Sequence, residues 1–369
     1  MRLRNLILVS IALFVGLCQE ACEPPATSFD AIEDAVYYTK SNLTAAPAPD
    51  SSIRVMTWNI RFGIGRGPWF GDACGYKVIY DDTEILSQLV ALAQRIEAAK
   101  PDVLLLQEVD IQSKRSGYID QLRWLLDNTY FNYAVYGSQW KSQFIPSDGL
   151  GRMHEANAIL SRWPISQAQR IQLTLRGDQD ALEQYYYERC CIVKAVINVP
   201  GFNPFYMLNI HASAFATDDS KHQHLITLKE EMDKLDAQGF RFVAGGDFNT
   251  LPPSSDSTDY CIEDLCPGES FHQPGDNPFH KEGSNYTPEA QWLVPFYQDY
   301  KSVISLTDYQ ANPAASFTHT TRPDQVWDRT IDYLFTNHRW GAGGSVTHQS
   351  FMNDSDHAAV SGEFILKQP

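Results

Sequence analysis

Apolar residues recur along the chain with two different spacings, and these spacings predict strands and helices in alternation. Residues 53–59 alternate as in a β-strand, and residues 102–108 form a continuous apolar run typical of a buried strand. Between them, residues 82–99 place apolar side chains three and four positions apart. This spacing predicts an amphipathic helix with Asp82 as its N-cap and its end at Lys100-Pro101.

The same two patterns continue to the end of the chain without a second linker or an internal repeat. Two more helices are predicted over 117–128 and 218–237. Further strands are predicted near 131–136, 156–161, 168–175, 189–199, 204–211, 240–246, 315–319, 331–336, 344–350 and 358–366. Many strands and few helices in mixed order predict an α/β fold of two packed sheets with helices outside. We expect residues 51–369 to form a single domain.

The N-terminal residues carry a different pattern. A short basic start precedes an apolar run over residues 6–18, which is too short for a spanning helix and has the length of a signal-peptide core. We therefore expect residues 1–18 to be a signal peptide and the protein to be extracellular, periplasmic or in the cell envelope. Lipidation of Cys18 is the alternative, although Leu17 is a poor residue before a lipidated cysteine.

A linker is expected to follow the signal peptide. Residues 19–50 are rich in Ala, Pro, Ser and Thr, a composition typical of a flexible tether. One short helix is predicted within it, over residues 28–40.

Six of the seven cysteines lie beyond the signal peptide. An even number in an exported chain indicates disulfides. Cys261 and Cys266 enclose a short acidic loop and are the best single pair. Cys190 and Cys191 are adjacent on a predicted strand, so their side chains point to opposite faces and should not bond to each other. A zinc site competes with disulfides, but no spacing matches a CxxC pair.

The composition predicts a folded protein with an acidic surface. Hydrophobic residues make up 43% of the chain, and 45 acidic side chains outnumber 29 basic ones, for a formal net charge of −16. Loss of the signal peptide makes this charge two units more negative. The acidic excess argues against a nucleic-acid coat protein and a polybasic membrane binder. It does not exclude an enzyme that handles phosphate through a metal ion, because the ion supplies positive charge.

Polar residues stand at the ends of several otherwise apolar strands, where α/β proteins usually place their sites. Each residue alone has an ordinary explanation as a turn, cap or core residue. Buried carboxylates, however, are costly unless they bind a metal or pair with another group. The candidates are Asn59, Glu108, Asn209, His211, Asp247, Asn249, Asp332, Asp356 and His357.

The segments around these residues, taken in order, resemble the motifs of the endonuclease/exonuclease/phosphatase superfamily. These are metal-dependent phosphoesterases related to pancreatic-type deoxyribonuclease, abasic-site endonucleases and neutral sphingomyelinases. The resemblance extends over residues 51–366 and implies a four-layer α/β/β/α sandwich of two packed mixed sheets with flanking helices. The matching segments are TWNIRFG (57–63), LLLQEVD (104–110), NAILSRWPI (157–165), LNIHAS (208–213), GGDFNT (245–250), IDYLF (331–335) and SDHAAV (355–360).

The resemblance implies a divalent-metal centre. Glu108 would be the main Mg²⁺ ligand, with Asn59 beside it and Asp356 near the same ion. An oxygen-rich set of this kind suits Mg²⁺ or Mn²⁺ better than zinc.

The resemblance also implies catalytic roles. Asp247 would position and activate the attacking water, and Asn249 would hold a phosphate oxygen. His357, oriented by Asp332, would contact the phosphate or act as the second acid/base. His211 would donate a hydrogen bond to a non-bridging oxygen or protonate the leaving group. Family members differ in which group is the base, so His211, Asp247 and His357 are assigned jointly.

Two further residues are candidate substrate contacts. Arg189 matches a position that often carries a phosphate-contacting side chain, and a surface arginine on a strand edge is the alternative. Asn157, on a strand that is structural first, is expected to help fix the site. The chain departs from the family pattern at Thr330, where many members have an arginine. Here the arginine is Arg329, one residue earlier. The contact that this arginine would make with the residues supporting the catalytic groups is therefore in doubt.

The motifs predict the reaction class, and the substrate is argued from other features. We favour an exported phosphodiesterase that acts on a lipid-linked or small organic phosphate, with a phospholipid headgroup as a candidate partner and no protein partner indicated. The NAILSRWPI segment and residues 107–121 look more like the phospholipid and small-phosphodiester branch. Aromatic residues in predicted loops would contact a lipid or sugar headgroup, or pack on the rim of the core. They are Trp69-Phe70, Tyr185 to Tyr187, Trp292, Phe296-Tyr297 and Tyr300.

Two other functions compete with this one. A secreted deoxyribonuclease-like endonuclease is second, since the chain has no run of Lys and Arg with interleaved aromatics. The densest short cluster, Lys114-Arg115, is expected to be a solvated turn. A non-catalytic binding module on the same fold is third, because every expected catalytic residue is present.

Overall fold

The computed structural model describes residues 24–48, 51–266, 285–322 and 326–367. The predicted signal peptide and Cys18 lie outside these residues. Its strands are β1 Ile32–Asp34, β2 Val36–Thr39, β3 Ser52–Asn59, β4 Val103–Asp110, β5 Tyr133–Ile145, β6 Gly151–Ser161, β7 Ile165–Gln172, β8 Cys191–Ile197, β9 Phe205–His211, β10 Phe242–Asp247, β11 Lys301–Ser302, β12 Asp332–Thr336, β13 Val346–Thr347 and β14 Val360–Ile365. Its α-helices are α1 Asp82–Ala99, α2 Gln121–Asn128, α3 Ala181–Tyr186, α4 Ser220–Ala237, α5 Val294–Asp299 and α6 Leu306–Ala311.

The strands form two mixed sheets of the same design. The first has the order β13-β14-β3-β4-β6-β5-β2, and the second has the order β1-β7-β8-β9-β10-β12-β11. Each contains one parallel pair, β3 with β4 and β9 with β10, among antiparallel neighbours. The long helices α1 and α4 make the crossovers that these parallel pairs require.

Three apolar layers hold the two sheets and their helices together. Strand β4 shows the arrangement, because Val103 and Leu105 lie in the core between the sheets while Leu104 and Leu106 pack beneath α1. A third layer packs α4 against the outer face of the second sheet. The molecule is therefore a four-layer α/β/β/α sandwich, and this fold prediction is confirmed.

Helix α1 covers its predicted range, Asp82–Ala99, but its N-cap lies one residue earlier than the sequence indicates. The Asp81 carboxylate accepts a hydrogen bond from the Glu84 backbone (2.9 Å), and the Glu84 side chain accepts one from the Asp81 backbone (3.0 Å). This reciprocal capping box makes Asp81 the N-cap, so the prediction of Asp82 is wrong by one position. The helix ends at Lys100, whose left-handed backbone stops it before Pro101.

The predicted helix over 28–40 is wrong, because this segment forms strands. Strand β1 pairs with β7, and β2 pairs with β5. The β-branched and aromatic residues Val36, Tyr37 and Tyr38 favour the extended backbone, and Ala35 is buried between the two strands. These residues of the expected tether therefore pack onto both sheets.

The strand predicted at 315–319 is also wrong. Residues Pro313–Ser316 form a 3-10 helix, since proline supplies a suitable φ at its first position but no N–H for a sheet. His319 makes only isolated bridges, to Arg329 and His357. The strand predicted at 344–350 shortens to β13 and is followed by a second 3-10 helix, Gln349–Phe351.

The disulfide joins Cys74 to Cys266, and the predicted Cys261–Cys266 pair is wrong. The loop after β3 brings Cys74 to a Cα–Cα distance of 5.2 Å from Cys266, across a separation of 192 residues. Cys190 and Cys191 pack in different apolar layers, as expected for adjacent strand residues whose side chains point to opposite faces.

No helix among the described residues combines the length and the apolar character needed to cross a membrane.

Candidate functional site

Both parallel strand pairs end at the same edge of the sandwich, and the predicted residues meet there. Asn59, His211 and Asp247 are the last residues of β3, β9 and β10. The Asn59 amide donates to Glu108 Oε1 (2.8 Å) and to Asp247 Oδ2 (3.1 Å). These two bonds join one sheet to the other, so the ends of four strands form one buried polar cluster.

Glu108 reaches this cluster through an irregularity in β4. The pairing of β4 with β6 shifts register between Leu106 and Val109, and Glu108 has a left-handed φ of 55°. Such a backbone costs free energy for a residue other than glycine. Gln107 in turn donates to Asn209 Oδ1 (2.6 Å) between the sheets, which places Asn209 in the packing behind the site.

The GGDFNT segment needs glycine at one position. Gly246 has φ 138°, and a Cβ there would lie 1.9 Å from the Ile210 carbonyl oxygen. The close approach sets Asp247 beside His211 on the neighbouring strand. The Asn249 backbone then donates to Asp247 Oδ1 (2.8 Å), and its side-chain amide donates to the Ala212 carbonyl (2.9 Å).

Asp247 faces two histidines. Its Oδ2 lies 3.6 Å from His211 Nε2 and 3.6 Å from His357 Nε2. His357 Nδ1 lies 2.9 Å from Asp332 Oδ2, which orients the ring as predicted. Burial disfavours the imidazolium, but the carboxylates of Asp332 and Asp247 outweigh it and raise the pKa of His357.

A buried glutamine fixes the orientation of His211. The Asn157 amide donates to Gln139 Oε1 (3.0 Å) and to the Cys191 carbonyl (3.0 Å). Gln139 therefore presents its NH₂ group to His211 Nδ1 (3.2 Å). The His211 Nε2–H then faces the carboxylates of Asp247 (3.6 Å) and Glu108 (3.8 Å). Asn157 thus acts on the site through Gln139, which sequence reasoning missed because a glutamine on an alternating strand is ordinary.

Arg61 holds Asp356, and sequence reasoning missed this residue although it lies within TWNIRFG. Its Nε lies 3.1 Å from Asp356 Oδ2, and its other nitrogens bond to Asp72 and to the Gly65 carbonyl. Burial raises the pKa of Asp356, but the charges of Arg61 and His357 outweigh burial and lower it. Asp356 is therefore held as a carboxylate.

His319 is a second residue that the sequence did not single out. Its ring centroid lies 4.4 Å from that of His357, and its buried Nδ1 has no hydrogen-bond partner. The candidate metal-ligand atoms of His319, Asp356 and His357, one from each side chain, all lie within 4.8 Å of one another. Those of Asp247, Asp332 and His357 form a second group of the same kind. The only sequence signal for His319 is a polar residue in an otherwise weak strand pattern.

The donor set fits a hard divalent cation. Burial raises the pKa of Glu108, and the nearby Asp356 carboxylate adds to this effect. Asp332 Oδ1 is buried without a hydrogen-bond partner. Carboxylate oxygens such as those of Glu108 and Asp356 suit Mg²⁺ or Mn²⁺, whose charge would offset the crowded acids. The Asn59 amide oxygen accepts a hydrogen bond from the Arg61 backbone (3.0 Å), so Asn59 faces Glu108 with its NH₂ group.

Arg189 turns away from these groups. Its guanidinium donates to the Tyr185 carbonyl (3.4 Å), whereas the neighbouring Glu188 accepts a hydrogen bond from the Gln139 amide (3.0 Å). The expectation of a solvated turn at Arg115 is wrong, because Arg115 is buried between Asp110 and Glu155.

Arg329, the residue next to Thr330, is also buried. Its guanidinium binds the Asp264 carboxylate at 2.8 Å, so it braces the loop that carries Cys266.

Comparisons with known proteins identify the family and the fold. The sequence profile of the Endonuclease/Exonuclease/phosphatase family matches residues 56–357. The crystal structure of an endonuclease/exonuclease/phosphatase from Beutenbergia cavernae DSM 12333 is similar at 21% identity and a TM-score of 0.57, over 86% of this chain and 72% of that one. The human Nocturnin catalytic domain with bound sulfate anion is similar at 16% identity and a TM-score of 0.54, over 90% and 98%.

A third structure, an endonuclease/exonuclease/phosphatase family protein from Leptotrichia buccalis C-1013-b, is similar at 16% identity and a TM-score of 0.50, over 84% and 98%. At these identities the solved structures show a shared fold. No curated protein matches the chain.

Proposed function

Since the chain belongs to the endonuclease/exonuclease/phosphatase family, whose members are generally phosphoesterases and nucleases dependent on divalent metals, we propose that it hydrolyses a phosphodiester by attack of water. One observation carries the proposal. The Asn59 amide bridges Glu108 and Asp247, and both Asp247 and His211 lie within hydrogen-bonding reach of a group placed between them. A binding module would not need this convergence of buried acids and histidines.

Glu108 and Asp356 would hold the metal with Asn59 beside them, and the ion would offset negative charge on the phosphate oxygens. Asp247 Oδ1 accepts from the Asn249 backbone and Oδ2 accepts from the Asn59 amide, and the remaining lone pair of Oδ2, on the oxygen that lies nearest the two histidines, would take a proton from water. His357, kept charged by Asp332, would donate to a phosphate oxygen. His211 presents Nε2–H, which would donate to a second oxygen or to the leaving group.

We propose a lipid-linked or small organic phosphodiester as the substrate, and export as the setting. A disulfide in the chain is compatible with an extracellular protein. The acidic surface should slow the approach of polyanions at low salt, which favours a small or lipid-linked substrate over DNA.

A panel of substrates tests this function. Sphingomyelin, phosphatidylinositol, bis-p-nitrophenyl phosphate and plasmid DNA are each incubated with the protein in Mg²⁺ and in EDTA. We expect Mg²⁺-dependent turnover of at least one of the first three and none in EDTA. Plasmid nicking without turnover of the others would support the nuclease instead. Absence of activity with any divalent metal would support the binding module.

A further inference from the structure

A cavity of about 710 Å³ is lined by residues that neighbour the catalytic groups through an ion pair or along the chain. Asp72 lines it and pairs with Arg61, the residue that holds Asp356. Phe215 also lines it, four residues after His211. A substrate whose phosphate lies among the catalytic groups can therefore extend one of its organic groups into this cavity.

The walls of the cavity are largely apolar. Aromatic rings and aliphatic side chains contribute together, and the aliphatic ones come from the end of β5, the loop after it and α3. The apolar lining residues are Phe70, Trp140, Ile145, Leu150, Leu182 and Tyr186. Ile145 and Leu150 form one buried cluster with Met153, and Phe70, Trp140 and Tyr186 pack against that cluster, so this part of the wall is supported from behind.

Four of the five charged residues of the lining are ion-paired within the protein, and the fifth, Glu183, accepts a hydrogen bond from the Asp180 backbone (3.3 Å). Asp178 binds Arg176 at 2.7 Å, Asp264 binds the buried Arg329 at 2.8 Å, and Asp72 binds Arg61. Their hydrogen-bonding capacity is therefore used, and the apolar surface is left for a ligand. Acids outnumber bases on the lining, which disfavours an anionic group there.

Large apolar side chains are exposed around the mouth of the cavity. Ile262 is 83% exposed, Tyr76 79% and Leu182 67%, and each lines the cavity or lies within three residues of a lining residue. The Cys74–Cys266 disulfide ties the loop of Tyr76 to the loop of Ile262. We call this set the apolar rim; its members are Tyr76, Phe144, Leu182, Tyr185, Phe215 and Ile262.

We propose that the cavity holds a hydrocarbon chain of a lipid-linked phosphodiester and that the apolar rim docks on a zwitterionic lipid surface. This inference rests on the proposed function and names its substrate class. Exposed apolar patches of this kind mark interaction sites. The acidic lining and the net charge of −16 favour a surface without net negative charge. A nucleobase would need polar partners for its edges, and the acids of the lining are already bound.

Vesicle flotation in EDTA tests docking without catalysis. The exported chain, without residues 1–18, is mixed with dioleoylphosphatidylcholine vesicles, and the variant Leu182→Ser/Phe215→Ser is compared with it. The matched control is Leu86→Ser/Val90→Ser, which removes exposed apolar side chains from the outer face of α1. We expect the wild type and the control to float, and the rim variant to partition at least tenfold less. Equal flotation of the rim variant, no flotation of the wild type, or stronger binding to phosphatidylserine vesicles would overturn the proposal.

Turnover of soluble p-nitrophenyl alkyl phosphodiesters tests the cavity itself. We expect kcat/KM of the wild type to rise at least tenfold from the butyl to the dodecyl ester, and this rise to be lost in Leu182→Ser/Phe215→Ser. A kcat/KM that does not change with the length of the alkyl chain would contradict a lipid-chain site. Faster turnover of thymidine 5′-(p-nitrophenyl phosphate) than of the dodecyl ester would contradict it as well. If no ester is hydrolysed with Mg²⁺, the proposed function fails, and flotation still decides whether the rim binds lipid.

Discussion

Single residues decide the chemistry of the site, and the sequence could predict only some of them. Asn59, Glu108 and Asp247 could be found because polar residues at the ends of apolar strands are unusual. Gln139 and Arg61 could not, because their roles depend on partners distant in the chain: Gln139 bridges Asn157 to His211, and Arg61 reaches Asp356. A side chain's burial and its partners are properties of the fold that the residue type alone does not carry.

The burial of His154 predicts how the free energy of unfolding depends on pH. His154 lies on β6 with its Nε2 2.8 Å from Ser138 Oγ. Burial, with the charges of Lys141 and Arg152, lowers the pKa of His154 to about 3. In the unfolded chain this ring titrates near pH 6.5, so below that pH the unfolded state binds more protons. The stabilisation is therefore complete above about pH 6.5 and is lost as the pH falls toward 3.

We expect this one ring to lower the free energy of unfolding by about 2 kcal/mol between pH 7 and pH 5. Urea unfolding of the wild type and of His154→Gln at both pH values measures the difference. The variant keeps an amide that can bond to Ser138 but does not titrate. Between pH 7 and pH 5 its free energy of unfolding should therefore fall by about 2 kcal/mol less than that of the wild type. The same pH dependence in both proteins would show that His154 is not the source.

At the scale of elements, apolar spacing predicts the long helices and buried strands, whereas their ends depend on local hydrogen bonds. The predicted range of α1 is confirmed because its buried face repeats regularly through Ile85, Leu89, Leu92 and Ile96. The predicted N-cap is wrong by one residue because the spacing of apolar residues does not distinguish Asp81 from Asp82. The edge strand β1 was missed because an exposed strand of three residues carries no clear alternation.

The two neighbouring aspartates give a matched pair of variants. Asp81→Ala removes the capping box and should lower the free energy of unfolding by about 1 kcal/mol. Asp82→Ala removes a carboxylate in the first turn and should cost about half that or less. Urea unfolding of both variants checks the order, and a larger loss in Asp82→Ala would place the cap where the sequence alone puts it.

At the scale of the whole molecule, contacts between distant segments complete the structure. The two crossover helices place β3 beside β4 and β9 beside β10, but the Cys74–Cys266 bond spans a loop whose closure no local pattern predicts. The same bond joins two loops of the apolar rim. The architecture could therefore be predicted from the family motifs, whereas the loops that surround the site could not.

Loss of this disulfide should destabilise the protein. Because the closed loop spans 192 residues, Cys74→Ser should lower the free energy of unfolding by about 2–5 kcal/mol through greater freedom of the unfolded chain. Thermal unfolding of the wild type and the variant measures the change. Peptide mapping without reductant should recover Cys74 linked to Cys266, and recovery of Cys261 linked to Cys266 would contradict the structure.

The central claim, that Glu108 binds a catalytic metal, is tested by one comparison. Hydrolysis of bis-p-nitrophenyl phosphate and calorimetric binding of Mn²⁺ are measured for the wild type, Glu108→Gln and the control Glu363→Gln, which changes a partly exposed glutamate on β14. Glu108→Gln keeps an oxygen for the Asn59 amide but loses the charge that the cation needs. We expect its turnover to fall at least about 100-fold and its Mn²⁺ binding to weaken at least about tenfold, with Glu363→Gln like the wild type. Full metal-dependent turnover by Glu108→Gln would contradict the account.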